Sequence, residues 1–389
     1  MSKPPAFDLV ERARALAPLI VSEADEIERT RRLTGPVVAA LVENGLYRAL
    51  LPKSLGGAEV PLSTFMQMQE EVAKADASTA WCLGQCSVCA VISAYIDHDA
   101  ANEIFNTAQG ILAWGAVAHD VRAEPAGYRA SARWEFASGV RQASWLGAHV
   151  RITEADGTPR KKPDGSPEIR TILFPVSSAT LYDVWDVIGL RGTGTDSYSV
   201  DNLFISEKFA ALRDEPSALR EKGPLYKIPT NAIYSMGFAA TSLGVARAQF
   251  DAAIDLSRKK TPQGLSALKE NSAVQGLIGL TEAKLRRARA YLFATAAEVW
   301  DDLVRGPMTE AHRVALRLAA TSTIHQSTEI VDVAYHMAGA TAVFRANGFE
   351  RRLRDMHAIN QQLQARDTHY EDIGKVILSG NLDTAPTAR

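Results

Sequence analysis

The stretch Gly127-Tyr-Arg-Ala-Ser-Ala-Arg-Trp134-Glu-Phe136-Ala-Ser138-Gly139 contains a short β-rich run, Tyr128 to Phe136, and closes on a Ser-Gly turn. Comparable runs follow at Ala148 to Thr153, Arg170 to Pro175 and Tyr198 to Ile205, separated by Gly, Pro and Asp. They predict a small, mostly antiparallel β-domain over residues 111–210. The polar segment Glu154 to Glu168, with Gly157, Lys161, Lys162, Pro163 and Gly165, reads as an exposed hairpin loop.

On either side the periodicity is helical. Leu9, Val10, Ala13, Leu16, Leu19 and Ile20 recur at three- and four-residue spacing, the mark of an amphipathic helix. A second helix starts at Thr34, a candidate N-cap with Pro36 in the first turn, and ends at Asn44-Gly45. Ser63 is positioned to cap a third, and Ser78 to Tyr95 forms a fourth, nearly all apolar. Residues 1–110 therefore read as an N-terminal α-helical domain. Beyond Pro229 the runs Ala232 to Lys259, Ser272 to Val304, Thr309 to Gly339 and Arg351 to Leu378 predict a C-terminal four-helix bundle in residues 211–389. The fold class is α+β, without a Gly-rich dinucleotide fingerprint or an internal repeat. The tail Gly380 to Arg389 is expected to fray.

The 389 residues carry 43 Lys plus Arg against 45 Asp plus Glu, a net charge of -2. That near-balance offers no basic field for nucleic acid or anionic lipid. No stretch approaches the roughly 18 uninterrupted apolar residues of a membrane span, and Met1 to Arg14 lacks an apolar leader core. A cytoplasmic protein with a small-molecule partner is expected. Cys82, Cys86 and Cys89 lie on the apolar fourth helix with no nearby histidine to complete a zinc site, so buried small hydrophobes are favoured over metal ligands.

Three segments resemble the acyl-CoA dehydrogenase superfamily. Gly127 to Gly139, followed by Ala143 and Trp145, is similar to its flavin-edge segment in the monooxygenase form. Ile188-Gly-Leu-Arg191-Gly-Thr193-Gly-Thr195-Asp-Ser197 resembles the strand and turn that come next. Gly339 with Arg351-Arg352-Leu-Arg354-Asp355 resembles the C-terminal stretch. Together with the helix, sheet, helix order the resemblance covers nearly the whole chain. It implies one flavin per subunit between the β-domain and the bundle, and a homotetramer, or at least a dimer, built by that bundle.

A dehydrogenase of this superfamily needs a carboxylate to take a proton beside a thioester. The late position reads Arg354-Asp355-Met-His357-Ala-Ile-Asn360-Gln361-Gln362-Leu363, with no acid where the family's Tyr-Glu-Gly-Thr type motif would supply one. The other position lies between Ile228 and Phe250, a stretch free of Asp and Glu, with Tyr234 near the expected site. What the Arg-Asp-x-His segment does resemble is the branch that accepts reduced flavin from a separate reductase, binds O2 and inserts one oxygen atom through a C4a-hydroperoxide. The implied protein is an oxygenase component that hydroxylates a small aromatic or heteroaromatic substrate with reduced FMN, or FAD in its place. The alternatives are an acyl-CoA dehydrogenase with an unidentified base, or a catalytically silent flavin-binding oligomer.

The resemblance also assigns residues. Ser138 is the hydroxyl beside flavin N5, flanked by Trp134, and is otherwise an ordinary strand-to-turn serine. His357 is the catalytic and substrate-binding candidate, since an imidazole near its ordinary pKa can draw a phenol toward phenolate; otherwise it is a satisfied core histidine or a helix-end charge. His119 follows Trp114 in a segment that crosses the flavin face, and stands as a pocket residue or a surface-loop histidine. Tyr234 is a substrate-binding candidate. Arg191 and Arg258 are candidates for the flavin phosphate with Thr193 and Thr195, against the plainer reading of solvated helix arginines. Gln85, Cys86 and Ser87 stand where the best-known phenol hydroxylases of the branch carry a second histidine, which leaves a phenol substrate unsupported.

Overall fold

The computed structural model describes residues 7–264 and 266–379; the expected fraying of the tail lies outside the described residues. Six helices open the chain: α1 (Phe7–Ala15), α2 (Ala17–Thr30), α3 (Gly35–Glu43), α4 (Leu62–Ala75), α5 (Ala77–Cys89) and α6 (His98–Phe105). Asp76 starts α5, its Oδ2 accepting from both the amide and the hydroxyl of Thr79 at 2.7 Å. Thr34 does occupy the N-cap of α3, but its side chain accepts no capping bond there. Ser63 lies inside α4, which begins after Pro61 at Leu62. Ala77 to Ala94 is long and apolar enough to cross a membrane, yet 94% of that window is buried inside the fold, as for a core helix.

The sheet comprises β1 (Leu112–Trp114), β2 (His119–Glu124), β3 (Gly127–Ala137), β4 (Trp145–Thr153), β5 (Ile169–Pro175), β6 (Thr180–Tyr182), β7 (Asp196–Ser206) and β8 (Ala210–Ala211). Its order is β6-β7-β3-β2-β4-β5-β8, with β1 beside β4. Most pairs are antiparallel, while β1 and β2 both run parallel to β4. The polar segment after β4 is a pair of tight turns at Gly157 and Gly165, held by bridges Thr153–Pro159 and Lys161–Pro167.

The C-terminal part is α7 (Thr230–Lys259), α8 (Ser272–Arg305), α9 (Glu310–Ala338), α10 (Phe349–Ile359) and α11 (Thr368–Ser379). Helix α7 packs against α4 and α5 of the N-terminal part and against α8, α9 and α10 of the C-terminal part. Gly244 permits the α4 approach, for a Cβ there would sit 2.4 Å from the Glu70 carbonyl oxygen. One prediction fails in an informative way. The helix expected from Arg351 to Leu378 is two helices, broken at 360–367 without Gly or Pro, the residues that normally announce a break.

Candidate active site

A cavity of about 320 Å³ opens where the sheet, α5, α7 and the α10–α11 break converge. Its wall is built by two i, i+4 pairs that face each other across helices, Trp81 and Gln85 on α5, Tyr234 and Phe238 on α7. Trp81 lies flat on Phe238, centroids 3.6 Å apart and planes within 5°, and Phe238 stacks on Tyr234 at 5.6 Å. The Gln85 amide donates to the Tyr234 hydroxyl at 3.1 Å. Burial pushes the Tyr234 hydroxyl up, and the Cys89 thiol beside it up to about 12, so both stay neutral.

Strand β3 delivers the next groups. Its pairing with β7 slips between Trp134 and Ala137, and within that bulge Phe136 takes φ 59° and is 59% exposed at the cavity. A left-handed backbone disfavours an aromatic residue by ~1 kcal/mol or more, so the surrounding pairing has to hold it there. Gly139 then turns the chain at φ +81°, with Cys86 Sγ only 2.6 Å from where a Cβ would be.

Ser138, between them, is nearly buried. Trp81 Nε1–H donates to its Oγ at 3.0 Å, and the same Oγ lies 2.7 Å from Thr195 Oγ1, which lies 2.7 Å from Thr193 Oγ1. The directions follow from proton counting. Thr193 gives its proton to the Leu190 carbonyl at 2.8 Å, so Thr195 donates to Thr193 and Ser138 donates to Thr195. Ser138 Oγ, having spent its proton and one lone pair, keeps one acceptor for whatever N–H or O–H enters the cavity.

The network continues through Leu190, itself at φ 51°. Its carbonyl also accepts from Trp185 Nε1–H at 2.9 Å, and its amide donates to Asp355 Oδ1 at 2.6 Å. Arg354 donates to the Ile188 carbonyl, and Gly189 lets the two segments touch, since a Cβ there would lie 2.0 Å from the Arg354 carbonyl oxygen. The Ile188-Gly-Leu and Arg354-Asp355 segments are thus two halves of one clamp. Burial pushes the Asp355 carboxyl up to about 8, and the nearby Asp76 adds to this.

Several site expectations separate here. Trp114, Ser138, Thr195 and Tyr234 line the cavity. Trp134 is wholly buried behind it, donating to the His149 carbonyl at 3.1 Å, and His119 packs edge-on against that indole at 5.6 Å. Thr193 supports from beneath. Arg191 folds back onto the Val187 carbonyl at 2.7 Å, and Arg258 is 69% exposed and paired with Asp255 at 2.8 Å, so neither reaches the cavity.

His357 does not reach it either. Its Nε2 meets Asp332 Oδ1 on α9 at 2.9 Å, with both side chains at least 40% exposed. The phase of α10 spends Asp355 on the clamp and turns His357 away, and the helix ends three residues before Gln362, which does line the cavity with Leu363 and Gln364. Sequence reasoning missed this because nothing local announces the break. It also missed Trp81 and Phe238, and took Gln85 only as the place of an absent histidine, although the i, i+4 spacing of Trp81 with Gln85 and of Tyr234 with Phe238 was visible; Arg213 is marked by no motif. Among the described residues no Asp or Glu lines the cavity. Glu371, an acid farther along the C-terminal part, is exposed on α11.

The sequence matches the description "Acyl-CoA dehydrogenase, N-terminal domain" over residues 8–103 and "Acyl-CoA dehydrogenase, C-terminal domain" over residues 236–366. The chain belongs to the acyl-CoA dehydrogenase family. Within this family it is similar to an indole-3-acetate monooxygenase of Pseudomonas putida, 27% identical, covering 95% of this chain and 92% of the relative. It is 26% identical to the flavin-dependent monooxygenase oxygenase subunit HsaA of Rhodococcus jostii, covering 90% of this chain and 92% of that one. Among solved structures, XiaF from Streptomyces sp., in complex with FADH2 and glycerol, superposes with a TM-score of 0.89 at 20% identity, over 98% of this chain and 97% of that one.

Proposed function

We propose that this protein is the oxygenase component of a two-component flavin monooxygenase that hydroxylates a small aromatic or heteroaromatic molecule. One observation carries the reading: an aromatic-walled cavity without any carboxylate among its described lining residues, and with a serine hydroxyl anchored to accept one further hydrogen bond. A dehydrogenase cannot take its proton without a base. The names of the relatives, monooxygenases and a flavin-dependent oxygenase subunit, point the same way.

The residues present fit a reduced flavin. Ala116, Ala118 and the exposed ring of Phe136 offer apolar lining, and Ser138 offers an acceptor for a ring N–H. Bound reduced flavin supplies two electrons to dioxygen. The protein's part is to keep that ring protonated through Ser138 and to exclude water with the Trp81–Phe238 stack and Trp114. Gln362, five residues past His357, takes the role of orienting the substrate from the C-terminal side. Reduced FMN, or FAD in its place, comes from a separate reductase in the cytoplasm. The C-terminal part leaves Leu280, Val343 and Phe344 more than half exposed, which favours a homotetramer.

The test is to mix the protein with reduced FMN under nitrogen and then add oxygen. A near-ultraviolet absorbance that outlasts free-flavin reoxidation by at least tenfold is expected. Immediate reoxidation with stoichiometric peroxide, for FMN and FAD alike, would overturn the reading. Bleaching of bound FAD by a fatty acyl-CoA would establish a dehydrogenase instead.

A further inference from the structure

Arg213 is the one charged side chain among the described residues that line the cavity. It lies just past β8, where the chain leaves the sheet for α7, and its side chain is 20% exposed. Its guanidinium carbon sits 5.5 Å over the Trp114 ring. Nη1 faces His149 Nε2 at 3.5 Å, while His149 Nδ1 lies 2.9 Å from Thr171 Oγ1. With Arg213 a donor only, His149 Nε2 is the acceptor and Nδ1–H donates to Thr171. Burial, and Arg213 itself, hold this imidazole well below its usual pKa, so it stays neutral.

The neighbouring acid forms only a long ion pair with this cation and leaves the Nη edge of the fork without a carboxylate among the described residues. Asp214 Oδ2 is 3.6 Å from Arg213 Nε, beyond good hydrogen-bonding range. Its Oδ1 is committed to the first turn of α7, accepting from the amide of Thr230 at 2.9 Å and from its hydroxyl at 2.7 Å. What remains is a guanidinium fork, steadied by a neutral histidine and an indole face, set in an otherwise uncharged aromatic chamber. A partly buried cation gains from an anion of matching geometry, and a planar fork matches a carboxylate.

We propose that Arg213 makes this site selective for an aromatic carboxylic acid, pairing with the carboxylate while the ring lies among Trp81, Phe238 and Tyr234. The proposal rests on the oxygenase reading and narrows its substrate class. His149 is a positioning residue for the fork.

Binding of 1-naphthylacetate and of its neutral isostere 1-naphthylacetamide to the full-length, FMN-loaded protein is measured by equilibrium dialysis, with phenylacetate and phenylacetamide as a smaller pair. The wild-type protein is expected to bind the acid of at least one pair about 10- to 100-fold more tightly than its amide, the range of a charge-assisted hydrogen-bonded pair. Arg213→Gln is expected to erase that preference by weakening the acid alone. Arg213→Lys, which keeps the charge and loses the fork, is expected to retain a reduced preference, and it reads the same ratio if the Gln variant does not fold. Equal affinity within both pairs, no binding of either acid, or a variant that keeps the full preference would overturn the proposal. The oxygenase reading fails separately, through the oxygen experiment on wild-type protein without any acid.

Discussion

The Ser138 network and the Arg213 group line the same cavity and are built in opposite ways. The first is continuous: Asp355 holds the Leu190 amide, the Leu190 carbonyl holds Thr193, and the hydroxyls of Thr193, Thr195 and Ser138 lead to Trp81 on α5. It ties all three parts of the chain through buried bonds whose directions are fixed. The second is short, with a 3.5 Å contact to His149 and a 3.6 Å contact to Asp214. A rigid network can hold a reacting group in one orientation. A loosely contacted cation can be re-aimed by exchanging a few neighbours, which suits a group that selects the substrate.

Breaking the network at its cavity end has the largest expected effect. Ser138→Ala removes the acceptor offered to the cavity and leaves Trp81 Nε1–H and the Thr195 hydroxyl short of a partner. Leaving such groups buried and unsatisfied costs about 1–3 kcal/mol, visible as a lower denaturation midpoint. In the oxygen experiment, the lifetime of the near-ultraviolet absorbance is expected to fall at least tenfold. An unchanged lifetime would remove Ser138 from the reaction.

The second comparison sets two residues of one segment against each other. Gln362 lines the cavity, whereas His357 pairs with Asp332 near the surface. Gln362→Ala is expected to reduce product formed per reduced flavin severalfold, measured with any accepted aromatic substrate. His357→Ala should change that yield less than twofold and stability by no more than about 1 kcal/mol, the scale of an exposed polar contact. The reverse pattern would restore the catalytic role that the sequence assigned to His357.

This pair also shows how far the sequence reaches. Domain order was legible because each part has its own periodicity: 3.6 in the flanks, short β-rich runs in the middle. Ser138 was legible through the resemblance of Gly127 to Gly139 to the family's flavin-edge segment, whereas the Ser-Gly turn alone marks only a strand end. The Arg354-Asp355 motif was recognised correctly, yet its work is to clamp Gly189 and Leu190. Which neighbouring residue then faces the cavity depends on where α10 stops. That stop is fixed by tertiary packing, with no local breaker in the sequence. Arg213 lay outside every motif, and only the folding of β8 back against β5 brings it beside His149 and Trp114.

The smallest effect lies at the far end of the network. Burial holds the Asp355 carboxyl at about 8, against an ordinary 3.8, so the folded state binds this proton more tightly than the unfolded chain does. The stability this contributes is complete below pH 3.8 and is lost as the pH rises through about 8. Asparagine keeps an acceptor for the Leu190 amide and carries no proton to lose. Asp355→Asn is therefore expected to gain on the wild type as the pH rises from about 5 to about 9, so that the wild-type Tm minus the variant Tm becomes steadily more negative. A difference that stays constant across that range would mean that the clamp carboxyl does not titrate there. The remote end of the Ser138 network would then be as insensitive to charge as its hydroxyl core.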